Sequence, residues 1–416
     1  VNRLEDMNLI EEPYRMLCNP PYDLKGKHIV VGVTAGIAAY KAVDLVSRLY
    51  KAGAEVKVVM TRNATKFVSP LVFGEISKHK VAVEMFENVQ DWNVEHIAYA
   101  TWADAYVVAP ATANIIAKMV HGIADDMLST QLLATTAPVF VCPAMNSNMY
   151  AHPTVQENLT ILRGRGVHVL EPDSGLLACG VEGKGRLPEP QKIMDWVDFH
   201  LGKTELLEGK TVIVSAGGTQ EAIDPVRYIT NRSSGKMGYA VALKAAQAGA
   251  KTILVSAPTD LAKPIGVERI MVRSATEMKE AIDSHYDSAD AVIMAAAVAD
   301  YRVAEVADNK IKKQETMTLE LVKNPDILAS LGECKQHQKL IGFAAETQDV
   351  IVYGKEKVRK KNLDMLVAND VSKSNAGFDV DTNEVTFIYP GDQIVNLPNM
   401  SKLDVAERII QALADL

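Results

Sequence analysis

At 416 residues the chain exceeds what one hydrophobic core usually serves, and 48% hydrophobic with 23% charged residues is ordinary globular composition, so two domains are expected. A net charge of -8 excludes a general affinity for nucleic acid or anionic membrane, which requires a cationic face. The apolar runs Ala105 to Met119 and Ala291 to Ala299 are too short or too interrupted for a membrane span.

Residues 1–25 are polar and contain proline, and Glu5, Asp6, Glu11 and Glu12 stand where a signal peptide would be basic or apolar, so a flexible leader is expected. Cysteines at 18, 142, 179 and 334 show neither C-x-x-C nor metal-ligand spacing. A reduced, cytoplasmic protein without structural disulfides or zinc is the expectation.

Two segments open alike. Residues 26–61 read Gly26-Lys27, an apolar strand His28 to Val33, the turn Thr34-Ala35-Gly36, a helix, Ala52-Gly53-Ala54 and a strand ending at Met60-Thr61. Residues 209–256 repeat the plan with Gly209-Lys210, strand Thr211 to Ser215, turn Ala216-Gly217-Gly218-Thr219, helix, Ala248-Gly249-Ala250 and a strand to Ser256, plus about a dozen residues inserted before the helix. Two Rossmann-like parallel-sheet α/β domains follow. Neither copy carries G-x-G-x-x-G with an acidic residue after the second strand, so NAD is disfavoured. Both turns still present a helix N-terminus suited to a phosphate, or simply pack well.

In the first domain, buried strands Ala105 to Ala109 and Pro138 to Val141 deliver Thr112, Asn114 and Asn146 to their carboxyl ends, where open α/β sheets bind ligands. That geometry gathers Gly36, Thr61, Thr112, Asn114 and Asn146 around one crevice. His96, in the helical run Asn93 to Thr101, can act as a base, or can merely solvate its helix. Asn146 can hold a carboxylate or amide, or serve only the turn. Cys179, in the Gly-rich segment Ser174 to Arg186, can donate a proton from a mobile flap, or can be a small buried apolar residue.

Gly36-Ile37-Ala38-Ala39-Tyr40-Lys41, His96, Ala109 to Asn114, Pro143 to Met149 and Ala178-Cys179-Gly180 together resemble the flavin-containing cysteine decarboxylases over residues 26 to about 190. Tyr150 stands where some relatives carry Trp. The resemblance implies a flavodoxin-like domain over residues 26–200 that binds FMN through Gly36, Ile37, Thr61, Thr112 and Asn114 at a trimer contact. It also implies His96 as base, Asn146 as carboxylate holder and Cys179 as proton donor.

In the second domain the inserted loop Asp224 to Gly238 carries Arg227, Arg232 and Lys236 at a helix start, which suits a phosphorylated ligand or a solvated connector. A buried strand from Ala291 is expected to run through Ala295 to Tyr301 with Asp300 at its end, followed by the cluster Lys310-Ile311-Lys312-Lys313. Phe343, with Lys357 and Lys361 one helical turn apart, can stack a base and neutralise a triphosphate.

Ser215 to Thr219, Asp224 to Gly238, Ala295 to Tyr301, Lys310 to Lys313, Lys323 to Asp326, Gly342 to Thr347 and Ala368-Asn369-Asp370 resemble the phosphopantothenate–cysteine ligases. The order of the halves is similar to the bacterial bifunctional coenzyme A biosynthesis family. This implies a ligase domain over residues 207–416, dimeric, that activates a carboxylate with CTP as an acyl-cytidylate, Mg2+ supporting the triphosphate. By position, Asn231 and Lys310 are implied as catalytic, with Ala296, Asp300, Lys310, Pro325, Asp326, Phe343, Lys357 and Lys361 around CTP. Substrates are then 4'-phosphopantothenate, cysteine and CTP, with neither nucleic acid nor membrane as partner. A flavin-fold regulatory protein, or a chain with only one active half, stays open at this point.

Overall fold

A computed structural model describes residues 24–85, 95–176, 180, 182–313, 315–346, 350–370, 382–391 and 393–416. Contacts divide the chain into two units, Tyr22–Leu201 and Gly202–Leu416.

The first unit runs β1 (His28–Val33), α1 (Ala39–Lys51), β2 (Glu55–Met60), α2 (Pro70–Ser77), α3 (Glu95–Trp102), β3 (Ala105–Ala111), α4 (Ala113–His121) and α5 (Met127–Ala134). It continues with β4 (Val139–Pro143), α6 (Ser147–Ala151), α7 (Pro153–Gly164), β5 (His168–Val169), the hairpin β6 (Asp173–Leu176) and β7 (Glu182–Arg186), and α8 (Pro190–Leu201). Strands β1 to β5 form a parallel sheet in the order β2-β1-β3-β4-β5, the flavodoxin-like order. The central strands read as unbroken apolar runs because both faces are covered. Ile29, Val31 and Val33 of β1 pack on the side of Leu45 and Leu49 of α1 and Ile193 of α8. Val30 and Tyr106 face Ile115 of α4 and Leu128 of α5 on the other.

The second unit opens with β8 (Thr211–Ala216), the hairpin β9 (Gln220–Ala222) and β10 (Tyr228–Thr230), α9 (Lys236–Gln247), β11 (Lys251–Ser256), β12 (Val267–Met271), α10 (Ala275–Tyr286) and β13 (Ala291–Met294). A second hairpin, β14 (Tyr301–Val303) with β15 (Leu321–Lys323), is followed by α11 (Ile327–Glu333), β16 (Lys339–Glu346), α12 (Val350–Lys360) and β17 (Met365–Asp370). Last come β18 (Thr382–Asn383), β19 (Val385–Ile388), β20 (Ile394–Asn396), β21 (Met400–Ser401) and α13 (Lys402–Asp415). The main sheet has the order β12-β11-β8-β13-β16-β17-β19-β20. It is parallel from β12 to β17, a doubly wound arrangement, and two antiparallel strands extend it.

Two expectations change in detail. The stretch Ala295 to Asp300 is not a continuous strand, because Ala296 N–H goes to Ser215 Oγ at 3.1 Å, out of the ladder, and pairing resumes as an isolated bridge at Ala297, whose N–H donates to Gly217 O at 2.8 Å. The residues inserted before α9 contain the β9–β10 hairpin, so they are in part ordered sheet.

Gly238 in the first turn of α9 lets that helix lie directly on β8, since a Cβ there would stand 2.6 Å from Ala216 Cβ and 2.7 Å from Ser215 O. This is the close-packing role that the third glycine plays in a dinucleotide fingerprint, displaced down the chain by the insertion.

Candidate active sites

In the first unit the chain leaves β1 and β3 in opposite directions, the switch point at which such sheets bind ligands. Thr34, almost fully buried, closes the seam: its Oγ1 donates to Pro110 O at 2.7 Å and accepts from Thr112 N–H at 3.1 Å. Beyond it opens a cavity of about 410 Å3 lined by Gly36, Ile37, Thr112, Met145, Asn146, Met149, Leu176 and Arg186, with others.

Each wall has a local cause. Ala38 at the N-cap of α1 offers no side-chain acceptor, and a Cβ on Gly36 would meet nothing within 4 Å, so the turn before α1 presents bare backbone. Thr112 caps α4 by accepting from Ile115 N–H at 3.5 Å. Asn146 caps α6, its Oδ1 accepting from Asn148 N–H at 2.9 Å, which fixes the side chain at the end of β4.

The Gly-rich segment is the β6–β7 hairpin laid across this rim. Gly185 N–Cα geometry has φ +146, and a Cβ there would stand 2.2 Å from Met145 O, while one on Gly183 would stand 2.4 Å from Ser147 Oγ. At 185 only a residue without a side chain lets β7 lie on the Met145 backbone, where Met145 N–H donates to Gly185 O at 3.0 Å, whereas at 183 the neighbour is the Ser147 side chain. Charged neighbours tie the strand down. Glu171 accepts from Lys184 Nζ at 2.7 Å and from Tyr150 Oη at 2.6 Å, and pairs with Arg163.

Gly36, Ile37, Thr112 and Asn146 therefore share one cavity, whereas Thr61 and Asn114 are not among its lining residues. Thr61 instead accepts from Ala64 N–H at 3.3 Å below the end of β2. His96 falls in α3, and Cys179 lies outside the described residues. Sequence reasoning missed Thr34, Lys41, Glu171, Arg186 and Glu189; a hydroxyl closing an otherwise apolar strand was the available signal for Thr34.

A bare turn, apolar walls and a few convergent polar groups suit a flavin: the cavity lies within the roughly 300–1,000 Å3 of small-molecule sites.

The second unit repeats the device where β8 and β13 part. Ser215 Oγ takes Ala296 N–H, and Thr219 Oγ1 accepts from Ala299 N–H at 2.9 Å. From this seam a run of bonds crosses the candidate residues. Asn231 Nδ2 donates to Val298 O at 3.0 Å; Asn324 N–H donates to Asp300 O and its Nδ2 to Ala299 O, both at 2.8 Å. Pro325 and Asp326 follow directly, and Asp326 pairs with Lys361 Nζ at 3.0 Å while capping α11 through Ala329 N–H at 3.1 Å. Burial of the Asp326 carboxyl works to raise its pKa, but the Lys361 bond and the cap outweigh it and hold it below the ordinary value.

Lys310 is placed by its neighbour. Asp224, whose side chain is fully buried, accepts from Val226 and Arg227 N–H at 2.8 and 2.9 Å and from Ile311 N–H at 3.1 Å. Arg227 Nε completes the clamp at 3.0 Å, and its Nη2 also reaches Ile311 O at 3.1 Å. The exposed Lys310 is thus held beside the turn that leads through β10 to Asn231. Phe343, half-buried, stands within β16 one residue past its last pairing with β13, Met294–Gly342, and opposite Val367 of β17. Lys357 lies one turn before Lys361, whose N–H donates to Lys357 O at 3.0 Å. Among the described residues no group of three His, Cys, Asp or Glu is arranged to hold a metal, and no helix is long and apolar enough to cross a membrane.

A flavodoxin-like sheet with a switch-point cavity, followed by a doubly wound sheet with lysines near its switch point, defines a two-domain α/β protein. Residues 17–202 match the family model "Flavoprotein", which begins inside the stretch expected as a leader, and residues 207–416 match "DNA/pantothenate metabolism flavoprotein C-terminal domain". The chain is 51% identical over 397 residues to the coenzyme A biosynthesis bifunctional protein CoaBC of Bacillus subtilis, covering 94% of this chain and 98% of the relative. To the protein of that name in Escherichia coli K12 it is 44% identical over 380 residues, covering 90% and 94%. The chain belongs to the family of coenzyme A biosynthesis bifunctional proteins.

Among solved structures, a C-terminal domain of CoaBC is similar to 51% of this chain and 97% of its own at 43% identity, with a TM-score of 0.45. A PPC decarboxylase mutant in complex with pantothenoylaminoethenethiol is similar over 41% and 96% at 29% identity, with a TM-score of 0.37.

Proposed function

We propose that residues 26–200 form the FMN-dependent decarboxylase and residues 207–416 the CTP-dependent ligase of this bifunctional enzyme of coenzyme A biosynthesis. The ligase joins cysteine to 4'-phosphopantothenate, and the decarboxylase converts the product, 4'-phosphopantothenoylcysteine, to 4'-phosphopantetheine. The presence of a switch-point arrangement in each unit carries this division: the cavity with an apolar rim in the first suits an isoalloxazine, and Lys310, Lys357 and Lys361 in the second suit a triphosphate.

In the ligase half Lys310 stabilises charge developing at the α-phosphate as the carboxylate is activated to an acyl-cytidylate. Asn231, steadied by Val298 O, binds that intermediate until cysteine attacks and CMP leaves. Ala296, Asp300, Pro325, Asp326, Phe343, Lys357 and Lys361 hold the nucleotide, Phe343 by stacking and the lysines by charge. Mg2+, when bound with the triphosphate, would offset part of its charge.

In the decarboxylase half Gly36, Ile37, Thr112 and neighbouring Thr61 and Asn114 hold FMN, which when bound supplies reversible oxidation of the cysteinyl thiol and so an electron sink for CO2 loss. Asn146 holds the departing carboxylate, His96 is the base, and Cys179 returns a proton. The trimeric flavin halves and dimeric ligase halves implied by the resemblance, and a cytoplasmic setting, belong to the same reading.

A coupled assay tests it. Purified protein with phosphopantothenate, cysteine and CTP should show flavin absorbance, release pyrophosphate and then CO2, and should work poorly with ATP. Absence of both flavin absorbance and CTP-dependent pyrophosphate release would sink the assignment.

A further inference from the structure

The cavity of the first unit has a charge arrangement that its proposed residues do not use. Its rim is apolar, with Ile37, Met149 and Leu176 all well exposed, and two cations line it, Lys41 and Arg186. Lys41 is nearly buried, its side chain 9% exposed, and its ammonium donates to Leu187 O at 3.1 Å and Glu189 Oε1 at 2.8 Å. Arg186 Nη2 donates to the same oxygen at 2.8 Å. One carboxylate therefore lies between two cations, and a net positive charge remains on the cavity wall.

The two cations differ in what they have left. Lys41 is committed to the interior, where it holds Glu189 in place. Arg186 carries five N–H donors, and the Glu189 bond engages Nη2 while orienting the guanidinium plane. Its position along the rim is set by Gly185, seated on Met145 O beside Asn146. As an ion pair alone, a half-exposed Arg186–Glu189 contact contributes little. As an oriented fork facing an apolar cavity, it is suited to doubly charged oxygen ligands.

We propose that Arg186, oriented by Glu189 and Lys41, is the receptor for a phosphate monoester in the first cavity, an inference that rests on the decarboxylase reading above. Two ligands of that reading carry such a group, FMN and the phosphorylated substrate, and a neutral amide such as Asn146 matches only the weaker charge of a carboxylate.

Equilibrium dialysis of the full-length protein and its Arg186→Gln variant against FMN and against riboflavin separates the sources, alongside decarboxylation kinetics on phosphorylated and dephosphorylated substrate at saturating FMN. If the flavin phosphate is bound, Kd for FMN rises about tenfold or more and that for riboflavin stays. If the substrate phosphate is bound, both flavin affinities stay, KM for the phosphorylated substrate rises about tenfold or more with kcat held, and the dephosphorylated substrate is unaffected. Arg186→Lys, which keeps the charge and loses the fork, recovers part of either loss. The proposal is overturned if Arg186→Gln changes none of these values, or weakens phosphorylated and unphosphorylated ligands alike. A wild-type protein that retains no flavin and releases no CO2 refutes the decarboxylase reading itself, before any variant is made.

Discussion

Glu171 and Asp224 do for the two sites what no catalytic group does, since each gathers donors from separate segments onto one carboxylate. Tyr150, buried and bonded to Glu171, has its phenol pKa pushed up to about 12, first by burial and then by the adjacent carboxylate. A raised pKa means the neutral phenol is the form the fold favours, so this contribution is complete below the ordinary value of 10.0 and is lost as pH rises through about 12. Tyr150→Phe should lower stability by about 1.5–3 kcal/mol in urea at neutral pH and remove a tyrosinate signal that titrates late in alkaline absorbance spectra. Asp224 is the opposite case: the Arg227 hydrogen bond, with backbone N–H groups from Val226, Ile311 and Arg227, holds its pKa well below 3.8. Its contribution is present above that value and is lost as pH falls below it. Asp224→Asn should therefore loosen the Lys310 segment and slow pyrophosphate release at neutral pH, while leaving CO2 release from supplied phosphopantothenoylcysteine unchanged.

Glycines decide where whole segments may lie. Gly238→Ala pushes α9 off β8, and an overpacking cost of about 1–3 kcal/mol with loss of ligation is expected from denaturation curves and the pyrophosphate assay. Gly185→Ala drives a methyl into Met145 O, so CO2 release should vanish while ligation persists. The elements themselves were largely legible: β1 begins and ends at the residues that its apolar run marks, because a strand buried on both faces must be apolar throughout, and β13 begins where its run does. The run through Ala295 to Asp300 was not, since its composition stays apolar while its donors are taken by Ser215 and Gly217, residues some 80 positions earlier. The same non-locality hid Lys41, Glu171 and Glu189, whose meaning depends on partners that only the folded chain brings near.

Two sheets that begin with the same β-turn-α-β pattern diverge beyond it, one carrying β2 at its edge and the other adding β12 outside β11. The chemistry divides with them, so single substitutions should separate the activities. His96→Asn should abolish CO2 release and let phosphopantothenoylcysteine accumulate, and Lys310→Gln should stop its formation while sparing its decarboxylation. Loss of both activities in either folded variant would contradict the two-site assignment. A strand that must be bare at 185 to sit on the Met145 carbonyl cannot slip by one residue, because slippage would bring Lys184 or Arg186 onto that seat. Gly185 is thereby an index mark: it keeps Arg186 at one fixed offset from the Met145 carbonyl.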